Sequence, residues 1–103
     1  MNWYRELYTD KSVKKKRDSI IREIEQGTYR GNLWLITLAV NPENQLELMP
    51  VHQLRFPYIR ANCPMVIRLA SGKKSALALL ENIVSEVYGT TGHVNLRSYF
   101  LQN

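Results

Sequence analysis

A strand that leads directly into the start of a basic helix is the feature that most constrains this chain. The apolar run 65–70 follows Pro64, and Ser71-Gly72-Lys73-Lys74-Ser75 comes next. Apolar residues then recur at helical spacing as far as Tyr88. A helix with a wide apolar arc, joined to a strand by so short a link, is expected to pack on the sheet that contains the strand. The pattern predicts a helix over 72–88 with Leu80 at the centre of its apolar arc.

Length and composition indicate a single small domain. The chain has 103 residues, of which 45% are hydrophobic and 22% are charged, which suffices for one core. The one cysteine, Cys63, excludes an internal disulfide and is typical of a reducing compartment. The N-terminus lacks the order of a signal peptide, and the apolar run 33–40 is too short to cross a bilayer. We therefore expect a cytoplasmic protein with no membrane partner.

The first half of the chain predicts an arm, a helix and a hairpin. Residues 1–9 form an aromatic arm whose spacing fits one side of a helical turn. A helix is expected over 11–26, with Gly27 as its C-terminal stop. The run 33–40 is apolar at nearly every position, which predicts a strand covered on both faces. After the turn residues 41–44, the alternation over 45–49 predicts a second strand, paired with the first as an antiparallel hairpin.

The second half predicts short helices around the strand 65–70. Pro50 suits the start of a short helix that Pro57 ends, and a loop follows over 58–64. Ser71 is expected to cap the helix 72–88, which the glycines at 89 and 92 end. A last short helix is expected over 96–101, capped by Asn95.

The element order is therefore α-β-β-α-β-α-α. This order predicts a single α+β domain over residues 1–103, in two layers. A three-stranded mixed sheet forms one layer, and two main helices pack on it.

Several stretches resemble a small bacterial protein family of unknown function. They are the strand and hairpin sequence over 31–48, the block Pro64 to Leu69 with its helix, and the ending Tyr88-Gly-Thr-Thr-Gly-His-Val-Asn-Leu-Arg-Ser-Tyr-Phe100. The resemblance covers most of the chain after Thr9. It implies a bacterial cytoplasmic protein and brings no activity, cofactor or catalytic residue with it.

The helix start at 71–75 is the first candidate site. It is not a nucleotide-hydrolysing P-loop, because Ile67 stands at the first glycine position and Lys74 stands where the Mg²⁺-binding hydroxyl should be. A simpler anion site remains a hypothesis, in which Gly72 allows close approach, Ser71 and Ser75 offer hydroxyls, and Lys73 and Lys74 supply charge. The alternative is a capped helix with solvated lysines.

A second set of cations suggests nucleic acid. The net charge is +5, and the run 11–17 holds five cations and no acid. Lys14, Lys15 and Arg60, together with Lys73 and Lys74, are the candidate contacts. The alternative is an ordinary solvated helix face. In both long helices the cations come before the acids, which opposes the helix dipole, and stability alone gives no reason for that order.

No catalytic or metal site is indicated. His52, Cys63 and His93 have no zinc-ligand spacing, and no carboxylate is placed to orient a nucleophile and base. We therefore expect neither an enzyme nor a cofactor.

The favoured function is a non-catalytic protein-interaction module that associates with itself or with an unknown protein. Aromatic residues at both ends of a small chain motivate it, namely Trp3, Tyr4, Tyr8, Tyr99 and Phe100. A small sheet also has open edges that invite pairing. The alternative function is a basic domain that binds nucleic acid or phosphate. Convergence of the cations on one face would favour that alternative.

Overall fold

A computed structural model describes residues 1–9, 16–40, 45–92 and 99–101. It contains a four-stranded mixed sheet and four helices. The strands are β1 (Trp3–Thr9), β2 (Trp34–Leu38), β3 (Leu46–Pro50) and β4 (Val66–Ala70). The helices are α1 (Arg17–Gln26), a 3-10 helix (Val51–Arg55), α2 (Pro57–Ala61) and α3 (Lys73–Thr91). The predicted α+β class is confirmed.

The strands lie in the order β1-β4-β2-β3. β1 is parallel to β4, whereas β2 is antiparallel to both β4 and β3. The predicted hairpin is confirmed, since Leu35 lies opposite Met49 and Leu38 opposite Leu46. The predicted strand over 65–70 is confirmed as β4, which lies between two neighbours.

The N-terminal arm is a strand, so the predictions of a helical turn over 1–9 and of a three-stranded sheet are wrong. Trp3 packs on one face of the sheet and Tyr4 on the other, as the two-residue period of a strand requires. β4 is buried along its whole length, and its backbone groups need partners on both sides. β1 supplies the second set of partners.

Helices cover both faces of the sheet, so the expected two-layer arrangement is also wrong. Alternate residues of the central strands enter separate cores: Leu35 and Val66 face α1, while Ile36 and Ile67 face α3. Ile20 and Ile24 of α1 complete the first core, together with the 3-10 helix. The expectation that the strand 33–40 is covered on both faces is confirmed.

The short helices differ from their predicted positions at Pro57. Pro57 is the first residue of α2, so the first half of the predicted loop 58–64 is helical. Proline suits this position because its fixed φ matches the helix and its missing N–H is not needed there. α1 ends at Gly27, which adopts a left-handed conformation with φ 75°, as predicted. The expected helix start at 11–15, the turn 41–44 and the cap Asn95 with residues 96–98 lie outside the described residues.

α3 is the principal helix on its face of the sheet, and its buried stripe differs slightly from the expected one. Ala76, Ile83 and Val87 are almost fully buried, whereas Leu80 is half-buried beside them. The helix lies over β4 and β2, so its buried stripe faces those strands and Leu80 lies at the border of the stripe. The helix ends at Gly92, which has φ 77°.

The different burial of Ile83 and Leu80 predicts that truncating each side chain lowers the free energy of unfolding by a different amount. Ile83→Ala should destabilise the domain by about 2–5 kcal/mol through lost burial and a cavity. Leu80→Ala should cost less, because part of its side chain already contacts water. Denaturant unfolding of both variants measures the difference, and a larger loss for Leu80→Ala would contradict the stripe described above.

Candidate functional site

The predicted anion-binding segment is an exposed helix start. Gly72 precedes α3 in an extended conformation with φ −174°, and no side chain caps the helix there. The expected cap by Ser71 is therefore not formed, and the Ser71 Oγ lies 3.4 Å from the Ser75 Oγ instead. A β-carbon on Gly72 would meet nothing within 4 Å, so neither conformation nor crowding requires glycine.

The two lysines of this segment differ in their surroundings. The Lys73 Nζ lies 5.7 Å from the centroid of the Trp34 ring, a cation–π contact that holds it against β2. The Lys74 side chain is exposed. Both lysine side chains are therefore exposed at the helix start, and that of Lys73 also contacts a neighbouring ring.

Arg60 lies apart from these lysines. Its Nη1 donates to the backbone oxygen of Leu54 at 2.9 Å, and the guanidinium lies against Gly27 after α1. α2 packs on the α1 face of the sheet, whereas α3 covers the opposite face. The described candidate cations therefore belong to helices on opposite faces. Lys14 and Lys15 lie outside the described residues.

No metal cluster is present within residues 1–9, 16–40, 45–92 and 99–101: they contain no group of three or more histidine, cysteine or acidic residues able to share an ion. His52 is exposed at the 3-10 helix. The Cys63 Sγ is half-buried and donates to the Pro64 oxygen at 3.3 Å. His93 lies outside the described residues.

The aromatic chain ends pack inside the domain. The rings of Tyr4 and Phe100 meet edge to face with centroids 5.0 Å apart, and Tyr99 meets Phe100 in the same way at 5.1 Å. Tyr4 and Phe100 are 8% and 2% exposed. Their expected place in a contact between molecules is therefore wrong, because β1 draws the N-terminus into the core. The side chain of Tyr8 lies outside the described residues.

A bulge in β4 turns Arg68 toward α3. Ile36 pairs with Arg68 and Thr37 with Val66, so Ile67 has no opposite residue and both Ile67 and Arg68 face the same side. Arg68 is 6% exposed, and its guanidinium carbon lies 6.0 Å from the Tyr4 ring centroid and 5.9 Å from that of Phe100. The buried cation is thus held between aromatic rings of the two chain ends.

A cavity of about 220 Å³ adjoins Arg68 between β4 and α3. It is lined by Arg68, Leu79, Asn82, Ile83 and Glu86. Its volume is below the roughly 300–1,000 Å³ of pockets for drug-sized ligands. The Arg68 Nη1 donates to the Ile67 oxygen at 2.9 Å, which fixes the side chain along the strand.

β3 lies at one end of the sheet, so one side of this strand faces away from β2. Val51 N–H donates to Leu33 at 2.9 Å, and Ala39 N–H donates to Gln45 at 3.2 Å. Because hydrogen-bonded pairs alternate in an antiparallel ladder, Glu47 and Met49 direct their backbone groups toward β2. Leu46 and Leu48 then direct theirs outward, and Pro50 directs only its carbonyl outward. No strand pairs with this side among the described residues.

Apolar side chains accompany this edge on the α3 face. Leu46 and Leu48 are half-buried against the core beneath α3. α3 lies over β4 and β2, and beside its buried stripe it carries half-buried and exposed apolar residues: Leu77, Leu80, Val84 and Tyr88. Leu77 is 45% exposed and Tyr88 58%. Leu80 and Val84 pack against the same apolar cluster as Leu46 and Leu48. We call the open edge of β3, with the side chains of Leu46 and Leu48, the β3 surface.

Sequence reasoning did not identify the β3 surface or the burial of Arg68. A strand was indicated by the alternating Leu46 and Leu48 and by Pro50 at its end. These residues do not indicate which side of the strand lacks a neighbouring strand. Arg68 is the one charge in an otherwise apolar strand, and that isolation was the available signal for its burial.

Comparison with known proteins gives no match. No family model, no curated protein and no solved structure matches the chain. The resemblance to a bacterial family therefore stays a prediction. In the described part of the chain, no helix is long and apolar enough to cross a membrane.

The surroundings of Cys63 predict a thiol that is poorly ionised and therefore reacts slowly with alkylating reagents. Burial raises the pKa of this thiol, and the positive N-terminal amine offsets only part of the effect. Because the thiolate is the reactive form, the rate of alkylation by iodoacetamide should rise with pH at a higher midpoint in the folded protein than in urea. A midpoint at or below that of the unfolded chain would contradict the burial of Cys63.

Proposed function

We propose that this chain is a non-catalytic protein-interaction module that associates with a second copy of itself through the β3 surface. The observation that carries the proposal is the open edge of β3, whose outward backbone groups at Leu46 and Leu48 lie beside half-buried leucine side chains. Unpaired strand edges are templates for pairing with another chain. Strand addition satisfies the backbone groups and shields the leucines together.

A second copy fits this surface because the strand complements itself. Two β3 strands related by a two-fold axis run antiparallel, and each offers both donors and acceptors to the other. The pairing joins two four-stranded sheets into one continuous sheet of eight strands. Both α3 helices then lie on the same face of the joined sheet.

Binding of nucleic acid or phosphate is the competing function, and it has less support. Arg60 is engaged by a backbone carbonyl on the α1 face, and Lys73 lies against the Trp34 ring. Of the candidate cations that are described, Lys73 and Lys74 are the exposed ones, and they are neighbours at one helix start. Two adjacent lysines give little of the counterion release that drives nucleic-acid binding.

Light scattering tests the proposal. At micromolar concentration the protein should have twice the chain mass of 12.0 kDa. Leu48→Lys should reduce the mass toward that of one chain, because a lysine on the edge strand would have to lose its hydration in the contact. Tyr58→Lys is the matched control: Tyr58 is 79% exposed and lies on α2, so the same change there should leave the dimer intact.

Two results would contradict the proposal. One is a wild-type protein that stays monomeric at all accessible concentrations. The other is a dimer that both lysine variants weaken equally, or that only Tyr58→Lys weakens. Circular dichroism and thermal melting confirm that each variant is folded. Binding of a labelled oligonucleotide by the monomeric wild-type protein, with a steep loss on addition of salt, would favour the competing function.

A further inference from the structure

The outward backbone groups of β3 permit few ways of pairing with a second β3. Leu46 and Leu48 each direct an N–H and a carbonyl outward, whereas Pro50 directs only a carbonyl, which already accepts the first hydrogen bond of the 3-10 helix that follows it. In a two-fold antiparallel pair, outward residues must lie opposite outward residues. The possible registers therefore differ by steps of two residues.

Two of these registers form four interchain hydrogen bonds. In the first, Leu48 lies opposite the partner's Leu48, and each Leu46 N–H donates to the carbonyl of the partner's Pro50, as the second hydrogen bond that this oxygen accepts. In the second, each Leu46 lies opposite the partner's Leu48, and the two residues exchange both bonds. A third register, with Leu48 opposite the partner's Pro50, forms fewer bonds within β3 because proline has no N–H.

Glu47 distinguishes the two better registers. In the second register Glu47 lies directly opposite the partner's Glu47, at a position without hydrogen bonds where Cα atoms approach to about 4.5 Å. Like charges directly opposite each other across strands are destabilising. In the first register Glu47 lies opposite the partner's Met49, and the two carboxylates are displaced from each other along the strands.

We infer that the dimer forms in the first register, with the two-fold axis at Leu48 and Glu47 acting as the residue that excludes the alternative. This inference rests on the proposed function and adds the alignment of the two chains. It gives Glu47 and Pro50 distinct roles on the same edge. Pro50 disfavours a shift toward the C-terminal end of β3, and Glu47 disfavours a shift in the other direction.

Single-cysteine variants in a Cys63→Ser background test the register while keeping Glu47. In the first register the Cα atoms of residue 48 are about 5.5 Å apart, within the roughly 4.4–6.8 Å span of a disulfide. Oxidation of Leu48→Cys should therefore give a cross-linked dimer as the main product. In the second register the same atoms lie beyond about 7 Å, as two residues of strand rise separate them.

An equal mixture of Leu46→Cys and Leu48→Cys proteins gives the complementary result. A disulfide between residue 46 of one chain and residue 48 of the other can form only in the second register, and mass spectrometry of the peptides identifies it. We expect this product to be absent or minor. Asn62→Cys, an exposed position directly after α2, is the control for random collision and should cross-link far more slowly than Leu48→Cys.

The outcomes separate this inference from the proposed function. If light scattering shows a dimer and the disulfide between residues 46 and 48 is the main product, the first register is wrong. Self-association through β3 is then still supported. A dimer in which neither cysteine cross-links faster than the Asn62→Cys control overturns the register and the β3 surface together. A monomer, checked in the Cys63→Ser background by light scattering, overturns self-association itself.

Glu47→Gln tests the assigned role directly. Without the charge, the second register should become accessible, so the 46–48 product should rise severalfold when both cysteine proteins carry Glu47→Gln. A role of Glu47 limited to the fold of one chain would leave the ratio of the two products unchanged, and that result would overturn the assignment. Thermal melting of the single variant verifies that the domain is intact.

Discussion

Burial of β4 on both faces is the constraint from which the arrangement of the other elements follows. All five of its residues are buried, so its backbone groups must be paired on both sides and its side chains covered on both faces. β1 and β2 supply the pairing, and α1 and α3 supply the cover. α3 follows β4 after two residues and lies over β4 and β2. β3 pairs with β2 at one end of the strand order and is an edge strand.

The strands β2 to β4 and the helix α3 could be predicted from sequence because each has a long apolar pattern bounded by turn residues. β1 could not be predicted in this way. Trp3, Tyr4, Leu7 and Tyr8 fit one side of a helical turn, and the need of β4 for a second neighbour decides between helix and strand. The requirement of β4 for a second neighbouring strand arises from tertiary structure, and the sequence of residues 3–9 carries no local indication of it. The bulge that turns Arg68 toward α3 is likewise a property of strand pairing.

The candidate surface illustrates the same limit. The hairpin residues predicted that β3 lies beside β2. They did not predict that β4 would occupy the other side of β2, which makes β3 the last described strand at that end of the sheet. The aromatic ends of the chain were a reasonable indication of an interface. Tyr4 and Phe100 instead pack in the core around Arg68 and are not available to a partner. The surface proposed for association is the edge of β3, at the other end of the sheet from β1.

Amide hydrogen exchange at Leu48 tests the central claim most directly, because this N–H is directed away from β2 and toward a partner strand. Its exchange rate should fall as protein concentration rises through the range in which dimers form, while the Met49 amide, bonded to β2, stays slow throughout. The Leu46 amide should follow Leu48. Rapid exchange of Leu48 at every concentration, in a sample that light scattering shows to be dimeric, would contradict pairing through β3.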